Sequence, residues 1–454
     1  MNINQAVISD GIDELRSSTR GDVLTPSDGA YEEVRRIWNA LIDRHPGAIL
    51  RCSGTADVAA AVKWARKHDI EVSVRGGGHN VGGRAVCDGG LMIDLSRMRS
   101  VYVDPVAKTV RAQGGALLGD VDRETHIFGL AVPLGVVSQT GIGGLVTGGG
   151  FGWQSRKRGA SCDNVIEMEI VTAEGGVLTA SAEENADLFW GVRGGGGNFG
   201  VVTSFLFRAY DLATVVGGLI AYARDAGAQV LRGYRDFTMN APEDLTVYAG
   251  FIWGPDGTPL TALVPCWIGD DKEAGKKAIE PLTKLGEPLM VEIGEMPFPA
   301  MQAMLDEAYA PGSRNYWKSA YLENLSDAAI DEIVRQAEGM TIPGSALLIE
   351  HTAGATLHRD ANDNALASRG WDYLLGVMPM WQDAKDDEEQ IAWARNATDA
   401  MEPYSSGMAY ANYVSEGDEA IMEPSFGDNL KRLREVKRKY DPGNFFHLNA
   451  NIAP

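Results

Sequence analysis

The alternation of apolar and polar positions breaks the chain into short elements. Apolar residues at helical spacing predict a helix over 31–41, a compact apolar run predicts a strand over 48–51, and Thr55 is placed to N-cap a helix over 57–67. A strand over 72–74 follows and runs directly into RGGGHNVGG, a β-α-β order with a tight ending. The segments VCDGGLMIDLSRM and VYVDPVAKTVRAQGG alternate with period two and carry turn chemistry at Asp104 and Pro105, so they read as a strand pair in a mixed sheet. After a helix over 118–128 comes GVVSQTGIGGLVTGGGFGW, too rich in glycine for a regular helix or a central strand, which predicts an ordered loop wrapped on a ligand. ASCDNVIEMEIVTAEGGVLTAS gives two strands joined at Glu174, Gly175 and Gly176; NADLFWGVRGGGGNFGVVTSFLFRAY gives a short helix, a glycine turn and a strand.

A first domain therefore ends near Tyr210. From about 212 to 399 glycine thins out, and LTVYAGFIWG, PLTALVPCWIG, NYWKSAYL and SALLIEHTAGATL alternate with helices over 270–285 and 326–338. This predicts an α+β domain on an antiparallel sheet. The last segment, from about Met401, holds AYANYVSE, a helix over 428–440 and the ending YDPGNFFHLNANIAP. The length of 454 residues suits two or three domains with a large ligand buried between them, and neither an internal repeat nor a low-complexity linker interrupts the pattern.

Composition narrows the classes. Hydrophobic residues at 44% and charged residues at 23% are globular values. The formal charge of −21 opposes binding to polyphosphate, so nucleic acid and anionic membranes are not expected partners. The first residues lack the basic start and apolar run of a signal peptide and no segment reaches transmembrane length, which points to the cytoplasm. Cys52, Cys87, Cys162 and Cys266 are far apart and read as reduced, buried thiols. Histidines are scattered too; His351 and His358, seven apart on a predicted strand, fall on opposite faces, so no metal is expected. Glycine is the one strong deviation, with 54 residues concentrated between Gly76 and Gly200, where backbone must approach something closely or adopt positive φ repeatedly.

Two glycine motifs need separating. GGGNFG at 195–200 matches GxGxxG, but a strand pattern follows it where a dinucleotide fold needs a helix, so the match is treated as chance. In RGGGHNVGG consecutive backbone N–H groups at a strand end can form a nest for phosphate, with His79 inside it; a plain turn with an exposed histidine fits the spacing equally well.

The succession RGGGHNVGG, LMIDLSRM, TGIGGLVTGGGFGW, RKRGASCDN, LFWGVRGGGGNFGVVTSF and KYDPGNFFHLNANI resembles the berberine-bridge-enzyme-like FAD-linked oxidases of the vanillyl-alcohol-oxidase/p-cresol-methylhydroxylase (VAO/PCMH) superfamily, over nearly the whole chain. The resemblance implies a two-domain α+β flavoprotein: a discontinuous FAD domain of residues 1–210 (core about 44–210) completed by 401–454, and a substrate domain over 211–400. It implies that His79 bonds the flavin 8α-methyl, that Arg75, Gly76, Gly77, Gly78, Asn80 and Gly83 belong to the loop cradling the pyrophosphate, and that the second glycine loop lies along the isoalloxazine and diphosphate. That loop would contribute Thr140, Gly141, Gly143, Gly144, Thr147, Gly148, Gly150 and Gly152, with Cys162, Asp163, Asn164 and Val201 nearby and Asn449 and Asn451 approaching from the C-terminal segment. Many relatives carry a second covalent link through cysteine; Val137 stands there, so a single bond is implied, and Cys162 reads first as a packed thiol.

The catalytic candidates that the resemblance selects are in Tyr410-Ala-Asn-Tyr413, with Tyr413 as base and Asn412 positioning it. On a strand the two tyrosines point to opposite faces, so only one could face the flavin unless the strand is bulged. Tyr413, with an ordinary pKa near ~10, would need a neighbouring cation or hydrogen-bond donors to lower it. The implied reaction transfers hydride from an alcohol, phenol or sugar-like molecule to FAD, with O2 reduced to H2O2; a dehydrogenase with another acceptor, or a non-catalytic metabolite binder, keeps the same motifs. The implied oxygen gate is Thr140, β-branched like the valine that leaves it open. Substrate would be roofed by middle-domain strands, among them the one carrying Glu350 and His351. Tyr248, Phe251, Trp253, Tyr316, Trp317 and Tyr321 suit a ring-bearing ligand, although such residues are more often core. Oligomeric state is left open by the sequence.

Overall fold

The computed structural model describes residues 3–360 and 362–454; Met1, Asn2 and Ala361 lie outside it. Three sheets organise the chain. The first has four strands in the order Asp22–Leu24, Ala48–Arg51, Leu91–Asp94, Val72–Arg75. Its outer pair is antiparallel and the other pairs are parallel, a mixed sheet as the pattern indicates. The second is antiparallel, in the order Val101–Asp104, Thr109–Gln113, Val201–Arg208, Val165–Val171, Val177–Ser181. The third is a seven-stranded antiparallel sheet that runs Pro288–Pro297, Thr214–Ala223, Pro259–Trp267, Leu245–Trp253, Ala346–His351, Tyr373–Met378, Lys318–Leu322. Among the described residues no helix is long and apolar enough to cross a membrane.

Several boundaries differ from the sequence reading. The helix expected over 31–41 stops at Tyr31–Val34. Beyond it the Trp38 N–H bonds Gly78 O, while the Asn39 side chain bonds Val81 O, Asn315 O and the amides of Leu41 and Asn315, so tertiary partners replace helical ones. The helix Thr55–Lys67 takes in Thr55 itself, behind Gly54 and without a side-chain cap. Asp57 in its first turn instead accepts from the amides of Arg20, Gly21 and Ser53. Leu91–Asp94 does not pair with the following hairpin but lies between two parallel strands, buried on both faces. The hairpin turn at Asp104 and Pro105 joins Val101–Asp104 to Thr109–Gln113. Within the second glycine loop a short helix forms at Ile142–Thr147, and the helix expected over 270–285 divides into Lys272–Ile279 and a 3-10 turn, Glu280–Lys284. His351 closes its strand, buried, whereas His358 lies beyond the strand and is exposed.

The glycines of 195–200 follow the helix Ala186–Gly195 and lead into the strand Val201–Arg208, so the order is not that of a dinucleotide fingerprint. All four cysteines are free and buried. The strand Val72–Arg75 delivers the first glycine loop to the place where the second meets it. A Cβ on Gly77 would come within 2.5 Å of the Gly141 amide nitrogen, and one on Gly141 within 2.3 Å of the Gly77 nitrogen. Only glycine at both positions lets these backbones touch.

Candidate active site

The two glycine loops, the strand start at Val201, the C-terminal segment and one face of the seven-stranded sheet enclose a single elongated cavity. From the first loop Gly76, Gly77, Gly78, His79 and Asn80 line it, together with Arg84. Arg75 and Gly83 stand outside: Arg75 donates to Val34 O, and Gly83, at φ 71°, packs on Ile42. From the second loop Val137, Thr140, Gly141, Gly143, Gly144, Thr147 and Gly148 line it. Gly150 and Gly152 do not; the Gly150 amide donates to Tyr410 Oη at 2.9 Å and the Gly152 amide to Ser155 Oγ at 2.8 Å.

Cys162, Asp163 and Asn164 form a buried 3-10 turn behind the second loop rather than part of the cavity wall. Its amides hold the loop, Ser161 N–H to Gly150 O and Cys162 N–H to Gly149 O. Asp163 is tied up by Arg369 at 2.5 Å and by Asn364 at 2.6 Å, and the Asn164 amide group bonds Arg158 O and Ala160 O. Val201 lines the cavity, and so do Gly196, Gly197 and Gly200 from the run dismissed as a chance match. That run serves the site without being a Rossmann turn; its glycine count was the signal. Asn449 lines the cavity but Asn451 is exposed, because Asn198 pins the segment between them, its side chain bonding Ala450 O and the Ile452 amide.

The His79 residue is half-buried, and its Nε2 is buried with no hydrogen-bond partner. Its ring stacks on Trp38 with centroids 4.4 Å apart and planes 19° from parallel. Burial pushes its pKa down to about 4, so the imidazole is neutral near pH 7.

The YANY segment is a 3-10 turn, Ala411–Tyr413, not a strand. The Tyr413 N–H bonds Tyr410 O at 2.8 Å, and the turn brings both phenols into the cavity with ring centroids 5.0 Å apart, which corrects the opposite-face expectation. Tyr410 Oη accepts from the Gly150 amide and from Asn412 Nδ2, both at 2.9 Å, and Asn412 also reaches Leu145 O. Asn412 thus fixes Tyr410 against the second loop rather than positioning Tyr413.

Tyr413 makes a different bond. Its hydroxyl donates to Glu350 Oε1 at 2.7 Å. Burial raises the Glu350 carboxyl to about 7, against the pull of the Tyr413 and Tyr248 hydroxyls. Burial and the Glu350 charge hold the Tyr413 phenol well above its usual range. The expected cation beside Tyr413 is therefore replaced by a carboxyl, and the titrating group near neutrality is Glu350. Sequence reading had Glu350 only as a residue on a roof strand. Of the six aromatic residues considered there, Trp317 alone lines the cavity; Tyr248, Phe251 and Tyr321 are buried core, Tyr316 bonds Asp418, and Trp253 stacks under Arg224. Trp38, Tyr309, Leu348 and Met378 were not anticipated.

A flavin dinucleotide fits these walls. Cβ atoms on Gly144 and Gly197 would meet nothing within 4 Å, so backbone faces open cavity there. Among the described residues Arg84 supplies the one charged lining side chain, with a buried Nη2 lacking a partner, and Asn449 Oδ1 is likewise buried and unpaired. No cysteine lines the cavity. Among the described residues no group of three or more His, Cys, Asp or Glu is placed to hold a metal.

Comparison with known proteins agrees. The family described as "FAD binding domain" matches residues 46–181, and "Berberine and berberine like" matches 409–453. An FAD-linked oxidoreductase of Dictyostelium discoideum is 30% identical over 98% of this chain and 97% of its own. The (R)-6-hydroxynicotine oxidase of Paenarthrobacter nicotinovorans is 29% identical over 96% of this chain and 97% of its own. Among solved structures, 6-hydroxy-D-nicotine oxidase from Arthrobacter nicotinovorans superposes with a TM-score of 0.89 at 28% identity, covering 96% of this chain and 98% of that one. A chitooligosaccharide oxidase, TM-score 0.84 at 24% identity over 99% of both chains, shares the fold. Glycine loops, C-terminal segment and whole-chain similarity thus identify the chain as an FAD-linked oxidoreductase, a member of the berberine-bridge-enzyme-like family of VAO/PCMH-type flavoproteins.

Proposed function

We propose that the protein is an oxidase that carries FAD covalently through His79 alone, takes hydride from a small organic substrate and passes the electrons to O2. The observation that carries this reading is the convergence, in one cavity, of an unpartnered neutral imidazole with a phenol hydrogen-bonded to a carboxyl that titrates near neutrality. FAD bound there supplies the two-electron acceptor for the substrate hydride and the means of reducing O2 to H2O2. The glycine loops and Arg84 hold its diphosphate, and His79 provides the nitrogen for the covalent bond. Val137 has no sulfur, and the absence of cysteine from the cavity wall supports a single link.

Tyr413 and Glu350 act as a proton relay. Ionised Glu350 accepts the Tyr413 proton across the 2.7 Å hydrogen bond as Tyr413 Oη accepts the proton of the substrate hydroxyl. The phenolate never has to persist, so its raised pKa is no obstacle. Tyr410, locked by two donors, orients the second loop and the ring of Tyr413. The sheets support a division into an FAD domain of 1–210 plus 401–454 and a substrate domain of 211–400.

The test is anaerobic flavin reduction in Tyr413→Phe. This variant keeps the ring packing and the cofactor but breaks the relay, so reduction should slow by about 10²- to 10⁴-fold, the usual worth of a positioned acid or base. An unchanged rate with FAD still bound would exclude Tyr413.

A further inference from the structure

Where a substrate must sit, opposite the glycine loops, the cavity wall comes from the middle of the chain: Leu305, Tyr309, Trp317, Leu348 and Met378, with Phe151 from the second loop. None is charged, and no Ser, Thr, Asn or Gln stands among them. Arg84, the one charged lining residue among those described, belongs to the first glycine loop, five residues past His79.

The polar atoms that do face this half are mostly engaged. The Tyr309 hydroxyl lies 3.7 Å from Met378 Sδ, Tyr410 Oη accepts two donors, and the Tyr413 hydroxyl donates to Glu350. Beyond the Trp317 Nε1, which is buried without a partner and can satisfy one hydroxyl at most, what remains is a set of rings. Trp317 meets Tyr413 edge-on at 5.4 Å and Tyr309 edge-on at 5.7 Å, and Phe151 lies 5.1 Å from Tyr410. Such walls favour a flat apolar body, stacked or edge-on, with one polar group directed at Tyr413.

A saccharide brings several hydroxyls into this space, and each one buried without a partner costs on the order of tenfold or more in affinity. A protonated amine is disfavoured too, because among the described residues no carboxylate lines the cavity: Glu350 lies behind Tyr413 and is already its acceptor. Resting on the oxidase reading above, we infer that the substrate is a neutral, ring-bearing alcohol, and that Leu348 and Met378 select for its apolar body.

The experiment mixes the holoenzyme anaerobically with three sets of probes: 4-hydroxybenzyl and cinnamyl alcohols, glucose and cellobiose, and 2-phenylpyrrolidine. The aromatic alcohols should bleach the oxidised flavin with an apparent second-order rate about a hundredfold above that of the sugars and the amine, two unpaired hydroxyls being enough for that ratio. Leu348→Asn should raise the aromatic alcohol concentration for half-maximal bleaching about tenfold, the scale of one lost apolar contact. Faster bleaching by a sugar or by the amine overturns the substrate class while leaving hydride transfer intact. If nothing bleaches the flavin, titration with anisole, which binds but cannot be oxidised as an alcohol, separates the two claims. A saturable shift of the flavin spectrum with anisole and none with glucose keeps the class and removes the oxidase reading; a shift with glucose alone, or with neither, overturns the class.

Discussion

The hydroxyl of Tyr413 donates to Glu350 Oε1 across 2.7 Å, from a turn near the C-terminus to a central strand of the seven-stranded sheet. Glu350 also faces Tyr248 on the neighbouring strand, its register partner. A carboxyl so enclosed keeps its proton until about pH 7, and the acceptor for the substrate proton is thereby drawn from a part of the chain remote in sequence from the flavin loops.

Covalent attachment makes a direct prediction. FAD should remain with the wild-type chain through acid precipitation or denaturant, and His79→Ala should release it. Trp38→Leu, which removes the ring stacked on His79, should lower the covalently held fraction, and Trp38→Phe should restore most of it. Flavin fluorescence on a denaturing gel reads this out, and complete release from wild type would contradict the His79 bond.

Oxygen use is tested at Thr140. Its backbone closes the turn from Val137 and its side chain borders the cavity, where a β-branched residue leaves room beside the flavin site. Thr140→Leu should slow reoxidation of the pre-reduced enzyme while anaerobic reduction stays nearly the same. Slow reoxidation in wild type would favour a dehydrogenase with another acceptor.

Stability should depend on Lys437. Fully buried, it donates to Asp441 at 2.6 Å, to Asn198 O at 2.7 Å and to Phe446 O at 3.0 Å, tying the helix Leu430–Tyr440 to both the third glycine run and the C-terminal segment. Lys437→Ala leaves the Asp441 carboxylate buried without its countercharge, held only by the amides of Phe445 and Phe446, at a cost of about 3–5 kcal/mol. Chemical denaturation should show this loss, and Lys437→Ala with Asp441→Asn together should recover part of it.

Local pattern made much of the fold legible. Val72–Arg75 and the glycine loop behind it were readable because a short apolar run ending in consecutive glycines has few other solutions. The turn at Tyr410–Asn412–Tyr413 was not, since its spacing fits a strand and the tertiary bonds from Asn412 to Leu145 O and from Gly150 to Tyr410, which favour the tighter form, leave no mark on that spacing. Glu350 was noted as lying on a roof strand, but its role depends on burial and on a partner 63 residues away, neither of which leaves a periodic trace. Cys162, Asp163 and Asn164 stand near the cofactor loop in sequence but face away from the cavity, where Arg369 and Asn364 claim the Asp163 carboxylate.

The relay itself is tested most directly by the pH dependence of anaerobic flavin reduction. Glu350 must be ionised to receive the Tyr413 proton, so the rate should be low below about pH 6, rise through about 7, where the folded protein holds this carboxyl, and level off above it. Glu350→Gln should retain FAD, lower the plateau by about 10²-fold or more and flatten the rise. An identical pH profile in wild type and Glu350→Gln would contradict the account.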